Sequence, residues 1–354
     1  MSTPRLRPLL GGMPAYKPGR RPAAGQQLSR LASNEMPYPL LPSVAQAVAA
    51  ALAESNRYPD PSVRVLTERL AAKHGVVPER VAVGGGSVQL VQELVEISCD
   101  AGDQVVFGWR SFEAYPTLAA IAGAVGVPVP LADHHLDLPA IAAAVTDRTR
   151  LVMLCSPNNP TGPALPQSAV ADFLQQLPPH VLVVLDEAYA EFVDDPAAVN
   201  GFTLLDQHPN LVVVRTFSKA YGLAGLRVGY AVSSPGVSGA LRQVHLPFSV
   251  TIAGQAAALA SLDVEDQLLA QVATVVELRE PLRKELRDIG WDVPPAQGNF
   301  VWLPTTGAEA LSAVFEEHGV LVRAFPREGV RVTVGLPEDN AKVVAAARSG
   351  LVHR

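Results

Sequence analysis

Short runs of branched apolar residues, each closed by a polar or glycine-rich cluster, set the rhythm of the middle of the chain. Residues 81–83 are apolar and lead into Gly84-Gly85-Gly86-Ser87, after which a helix is expected to about Cys99. Residues 104–107 read as a strand followed by a helix near 115–124. Residues 151–155 read as a strand ending in a Pro/Asn/Gly turn, with a helix at 168–177. The run 181–185 ends in Asp186, and the run 211–215 ends in Thr216-Phe217-Ser218-Lys219. One more strand is expected at 227–232. Strands that alternate with helices, and are apolar on both faces, predict an α/β fold with a mostly parallel, helix-covered sheet.

The flanks have a different texture. The chain to Gln27 reads as an extended arm, followed by helices at 43–55 and 62–74. Beyond about residue 247 comes a long helical region, 251–289. Strand-like stretches follow at 299–303, 320–324 and 330–334, separated by helices. This predicts a smaller α+β unit packed with the N-terminal part. The expected division is 1–55 (arm and part of the small domain), 56–240 (large domain) and 241–354 (C-terminal small domain).

Composition supports a large core: 354 residues, 48% apolar and only 18% charged, about two domains' worth. A net charge of −6 argues against a nucleic-acid binder built on bulk positive charge. Two distant cysteines, Cys99 and Cys155, provide neither a zinc cluster nor a disulfide framework, which fits a reducing cytoplasm. No secretory signal or membrane span is visible. Cys155 reads as a small buried hydrophobe, His134-His135 as a solvated turn, and Asp194-Asp195 as loop charge rather than a metal site.

The polar clusters carry the chemistry. In an open α/β sheet, ligands bind beyond the carboxyl ends of the strands, so four such clusters converge if their strands are neighbours. Singly, each has an ordinary explanation: Asp186 as a helix N-cap, Ser156 to Gly162 as a plain turn, the glycines as a tight strand–helix connection. The glycine cluster lacks the third glycine of the dinucleotide fingerprint, and no Gly-Lys pair exists for a P-loop. What remains is a glycine turn opening a helix, suited to one phosphate group. Lys219 follows a buried strand and precedes a glycine-rich stretch containing Arg227. A desolvated lysine near other cations has a lowered pKa and attacks aldehydes. Phosphate donors, such a lysine and a carboxylate together make a site for pyridoxal phosphate.

Three motifs then resemble one family: Asn158-Asn159-Pro160-Thr161-Gly162, Asp186-Glu187-Ala188-Tyr189, and Ser218-Lys219 with Arg227 eight residues on. The chain resembles, nearly end to end, fold-type I pyridoxal-phosphate aminotransferases of the histidinol-phosphate and aromatic amino acid class. The resemblance implies that Lys219 condenses with the cofactor aldehyde and later shuttles the proton of the 1,3-shift. Asp186 would pair with the pyridine nitrogen, and Asn159 and Tyr189 would bond the ring's phenolic oxygen. Ser87, Val88, Thr216, Ser218 and Arg227 would hold the phosphate, and Phe112 would stack on the ring where relatives often have Tyr. Tyr58 would reach the partner subunit's cofactor phosphate, implying a homodimer with a shared active site. Arg331 would grip the substrate carboxylate, and Arg323 would be a second substrate arginine, used for phosphate in histidinol-phosphate enzymes. Asn299, Asn34 and Tyr16 would lie near the substrate.

The N-terminal segment and the stretches 108–112 and 215–221 are most similar to the actinobacterial aromatic (phenylalanine) branch. The expected reaction is transamination between an aromatic L-amino acid and 2-oxoglutarate, with histidinol-phosphate transamination as the alternative. A phosphothreonine decarboxylase on the same fold and a regulator without enzymatic activity stay open as further alternatives.

Overall fold

The computed structural model describes residues 6–11 and 28–354. The expected extended arm lies mostly outside these, and Pro8–Gly11 is a 3-10 turn. In chain order the strands are β1 (Ser29–Arg30), β2 (Val81–Gly84), β3 (Gln104–Trp109), β4 (Val125–Pro130), β5 (Thr149–Cys155) and β6 (Leu182–Asp186). They continue with β7 (Leu211–Thr216), β8 (Gly229–Val232), β9 (Phe300–Pro304), β10 (Val320–Leu321), β11 (Arg323–Phe325) and β12 (Gly329–Thr333).

Seven strands form one sheet in the order β2-β8-β7-β6-β5-β3-β4. All neighbours are parallel except β8, which runs antiparallel to both β2 and β7. The central strands are buried on both faces, which is why their sequences are continuous rather than alternating apolar runs. On one face Phe107, Met153, Val184 and Val214 pack with Leu90, Leu94 and Tyr115 of the helices Ser87–Ser98 and Tyr115–Ala122. On the other, Val152, Leu154, Val183 and Val213 pack with Val170 and Phe173 of Gln167–Gln176. Each such fully buried side chain contributes about 1.5–3 kcal/mol of transfer free energy. A second, antiparallel sheet has the order β11-β12-β9, and β1 pairs in parallel with β10.

The structure departs from the sequence reading in several places. β4 was not expected: Val125–Pro130 contains one glycine and two prolines and is mostly exposed at the sheet edge, where a missing N–H is tolerated. The helices Leu138–Ala143 and Pro235–Val244 were also not expected. The single strand expected at 320–324 is two, β10 and β11, in different sheets. The long helical region is two helices, Ile252–Asp263 and Glu265–Asp288, broken at Val264 where φ is −118°.

Candidate active site

The carboxyl ends of β5, β6 and β7 lie side by side, with Cys155 opposite Asp186 and Asp186 opposite Val214. β2 is not their direct neighbour, because β8 intervenes. Since β8 is antiparallel, it is the first residue of β8, Gly229, that meets both Gly84 and Thr216. A Cβ on Gly229 would stand 2.4 Å from the Ser87 nitrogen. Glycine there lets the turn 84–86 close against the end of β7. Beyond this edge lies a cavity of about 250 Å³, whose lining includes Ser87, Val88, Phe112, Asn159, Asp186, Tyr189, Thr216, Ser218, Lys219, Arg227, Arg323 and Arg331.

Lys219 sits in the turn after β7, and its Nζ donates to the Ser33 carbonyl at 2.8 Å. Burial, and secondarily the positive charge of Arg331, pull its pKa down to about 7. Asp186 is only 5% exposed. It accepts from the Tyr115 hydroxyl at 2.8 Å and the Ala188 N–H at 3.3 Å. Burial nevertheless pushes its pKa up to about 6. It is not a helix N-cap, since the next helical turn, Ala190–Phe192, starts from Tyr189 without a side-chain cap. A buried carboxylate held this way gains from a cation entering the cavity, such as a protonated pyridine nitrogen.

The phosphate end is equally specific. Gly86 precedes Ser87–Ser98 at φ +94°, and no side chain caps that helix. Its first N–H groups therefore have no intrahelical or cap partner and favour an anion. A Cβ on Gly86 would stand 2.2 Å from Arg227 Nη2, so the guanidinium lies directly against the turn. Arg227 lies before β8 rather than in it, in the left-handed region at φ +56°, a strained conformation for a side-chain-bearing residue. Its Nη1 donates to Ser218 Oγ at 3.1 Å. The Thr216 hydroxyl accepts from the Ser218 N–H at 3.1 Å and so shapes the turn. Phosphate donors at one end and a buried carboxylate at the other fit the pyridoxal phosphate that the sequence implies.

Arg331, on β12, donates to Asn159 Oδ1 and to the Ala32 carbonyl, the latter at 2.7 Å. Asn34 and Asn299 stand behind the cavity wall. Asn34 Nδ2 donates to the Tyr189 hydroxyl at 2.9 Å, and Asn299 Nδ2 donates to the Asn34 carbonyl at 3.2 Å. Burial pushes the Tyr189 phenol up to about 12. Phe112 lines the wall and meets Tyr115 edge-on at 5.6 Å. Arg323 forms an ion pair with Glu113, which also lines the cavity. Tyr58 is not brought to this chain's cavity: it is 80% exposed and stacks on Phe248 at 4.4 Å. Tyr16 lies outside the described residues.

Glu113 and Phe325, which line the cavity, and Tyr115, which bonds Asp186 from behind it, were not singled out from the sequence, because no motif marks them and only the tertiary fold brings them there. Cys155 lines the cavity fully buried, and burial raises its thiol pKa, as suits a packing residue rather than a nucleophile. Asp194 pairs with Arg279 at 2.8 Å, and no metal-ligating cluster exists among the described residues.

The arrangement has known counterparts. The chain is 50% identical over 349 residues to an aromatic amino acid aminotransferase of Thermobifida fusca, covering 98% of this chain and 97% of the relative. It is 48% identical to one from Mycolicibacterium vanbaalenii, covering 97% of each. Among solved structures, the histidinol-phosphate aminotransferase of Sinorhizobium meliloti in complex with pyridoxal-5′-phosphate superposes with a TM-score of 0.89, at 31% identity and 98% coverage of both chains. A model of the family "Aminotransferase class I and II" matches residues 26–347, which takes in every strand named above and every residue lining the cavity. The chain therefore belongs to the class I and II aminotransferases.

Proposed function

We propose that the protein is a pyridoxal-phosphate aminotransferase that moves the amino group of a phenylalanine-like aromatic L-amino acid to 2-oxoglutarate, giving an aryl-2-oxo acid and L-glutamate. The observation that carries the reading is electrostatic. One cavity holds a lysine brought to about 7, a carboxylate raised to about 6 and a buried arginine. The names of the relatives at about half identity support the aromatic substrate.

Asp186 and the cradle of Ser87, Val88, Ser218 and Arg227 would hold the cofactor at its two ends, with Phe112 and Tyr189 as walls. When bound, the cofactor supplies an electron sink for the pair left when the substrate's α-proton departs. Lys219 Nζ, about half of it neutral near pH 7, takes that proton and returns it one position along. Arg331 holds the substrate carboxylate with its planar fork. Arg323, paired with Glu113 at the cavity, would be the second arginine for a substrate anion. The same reading places the enzyme in the cytoplasm as a homodimer, with Tyr58 reaching the neighbouring cavity. It divides the chain into residues 1–55, 56–240 and 241–354, the middle unit carrying the cofactor. No helix among the described residues is long and apolar enough to cross a membrane.

The test is a half-reaction on cofactor-loaded protein, adding L-phenylalanine or histidinol phosphate separately and following the cofactor's absorbance. Rapid conversion by phenylalanine alone supports the proposal, and conversion by histidinol phosphate alone refutes it. Lys219→Ala should abolish turnover, and steady-state transamination by that variant would remove Lys219 from its role.

A further inference from the structure

Behind the glycine turn runs a chain of buried polar contacts that the reaction does not use. The Gly85 N–H donates to Gln89 Oε1 at 2.9 Å, and Gln89 Nε2 donates to Glu93 Oε1 at 2.7 Å. Gln89 and Glu93 are one turn apart on the helix Ser87–Ser98. The other Glu93 oxygen forms an ion pair with His245 Nδ1 at 2.6 Å. His245, which ends the helix Pro235–Val244, turns its Nε2 to the Val83 carbonyl at 2.5 Å. The turn is thus pressed from both sides. A Cβ on Gly84 would stand 3.3 Å from His245 Cε1, and one on Gly85 would stand 2.4 Å from Gln89 Oε1. On the opposite side Arg227 lies against Gly86.

Both nitrogens of His245 face atoms that only accept: a backbone carbonyl oxygen and a carboxylate. Nδ1 meets the Glu93 oxygen at ion-pair distance without hydrogen-bond geometry, so a neutral imidazole serves the Val83 carbonyl alone, whereas an imidazolium also gives Glu93 a counter-charge. Glu93 is buried, and a buried carboxylate needs a cation beside it. The other charged groups facing the ring are Arg242, on its own helix, and Asp60, across a neighbouring cavity of about 160 Å³. Of these Arg242 opposes protonation, yet Glu93 and the Val83 carbonyl outweigh both it and the cost of burial, so the pKa is raised above its ordinary value.

We propose that His245, as an imidazolium acting through Glu93 and Gln89, is a positioning residue that fixes the turn 84–86 and so the N–H cradle for the cofactor phosphate. The inference rests on reading that turn as the phosphate site. Loss of the His245 proton removes the counter-charge of Glu93. The cradle then loosens as pH rises through the raised pKa, while below the ordinary value of 6.5 it is fully held.

The experiment measures binding of pyridoxamine 5′-phosphate, and of pyridoxamine without phosphate, to cofactor-free wild type, His245→Gln and Glu93→Gln between about pH 6 and about pH 9. Wild type should bind the phosphorylated compound about tenfold more tightly than His245→Gln at the acid end, a ratio shrinking towards one at the alkaline end. Pyridoxamine should show no such ratio. A ratio independent of pH, or equal for both compounds, overturns the proposal. Wild type that binds both compounds equally would overturn the phosphate reading itself, whereas tight phosphate-dependent binding indifferent to His245 overturns only the positioning role. Should the variants fail to fold, histidine ring NMR of wild type decides: His245 should titrate above 6.5, and titration at or below 6.5 overturns the proposal.

Discussion

Asp186→Asn should strengthen the cofactor-free protein while impairing the loaded one. The carboxyl is almost fully buried, and its pKa rises from 3.8 to about 6. Between those values the native state keeps a proton that the unfolded chain has released, so stability falls as pH rises through the window. Above about 6 the whole cost is present, and at about 1.4 kcal/mol per unit it amounts to about 3 kcal/mol. Asn is nearly isosteric, accepts from the Tyr115 hydroxyl through its one oxygen at the expense of the longer Ala188 contact, and cannot ionise. Cofactor-free Asp186→Asn should therefore melt about 4 °C above wild type at pH 8, for a chain of this length, and level with it near pH 4. Adding pyridoxal phosphate should reverse the order, because only the carboxylate gains from a cationic ring nitrogen. Thermal melts of both proteins at both pH values, with and without cofactor, provide the measurement. A variant no more stable than wild type at pH 8, or a difference that persists undiminished at pH 4, would refute the reasoning.

Arg331→Lys replaces a fork by a point charge and should cost about 1.5–3 kcal/mol in kcat/KM for donor and acceptor alike, mostly through KM; unchanged KM values would remove Arg331 from the carboxylate site. Gly86→Ala puts a side chain at φ +94° within 2.2 Å of Arg227 Nη2. It should cost about 1–3 kcal/mol of stability and weaken cofactor binding at least about tenfold, read by denaturant melts and cofactor titration. Cys155→Ala should leave kcat within about threefold and lower stability by about 1 kcal/mol, the typical cost of a point substitution, while Asp186→Ala nearly stops turnover. Equal losses in kcat would reduce Asp186 to a packing role.

What was legible in the sequence follows from what each part of the chain packs against. β5, β6 and β7 were readable because burial on both faces forces continuous apolar runs, and the site residues Asp186, Ser218 and Lys219 were readable because they follow those runs directly. β4 was not, since an exposed edge strand needs neither an apolar run nor every N–H. The break at Val322 was invisible because the pattern continues through it, and only the choice of sheet partner, made far away in the chain, separates β10 from β11. The direction of β8 was equally hidden, yet it decides that Gly229 rather than Val232 meets the phosphate turn. The same division holds for the chemistry. Motifs placed the lysine and the carboxylate, but the shifts of both come first from burial, and that of the lysine also from Arg331, which reaches the cavity on a strand of the other sheet. His245 shows the limit most clearly. Gln89 and Glu93 stand one helical turn apart in the sequence, whereas the cation that neutralises Glu93 arrives from the far end of another helix and carries no motif of its own.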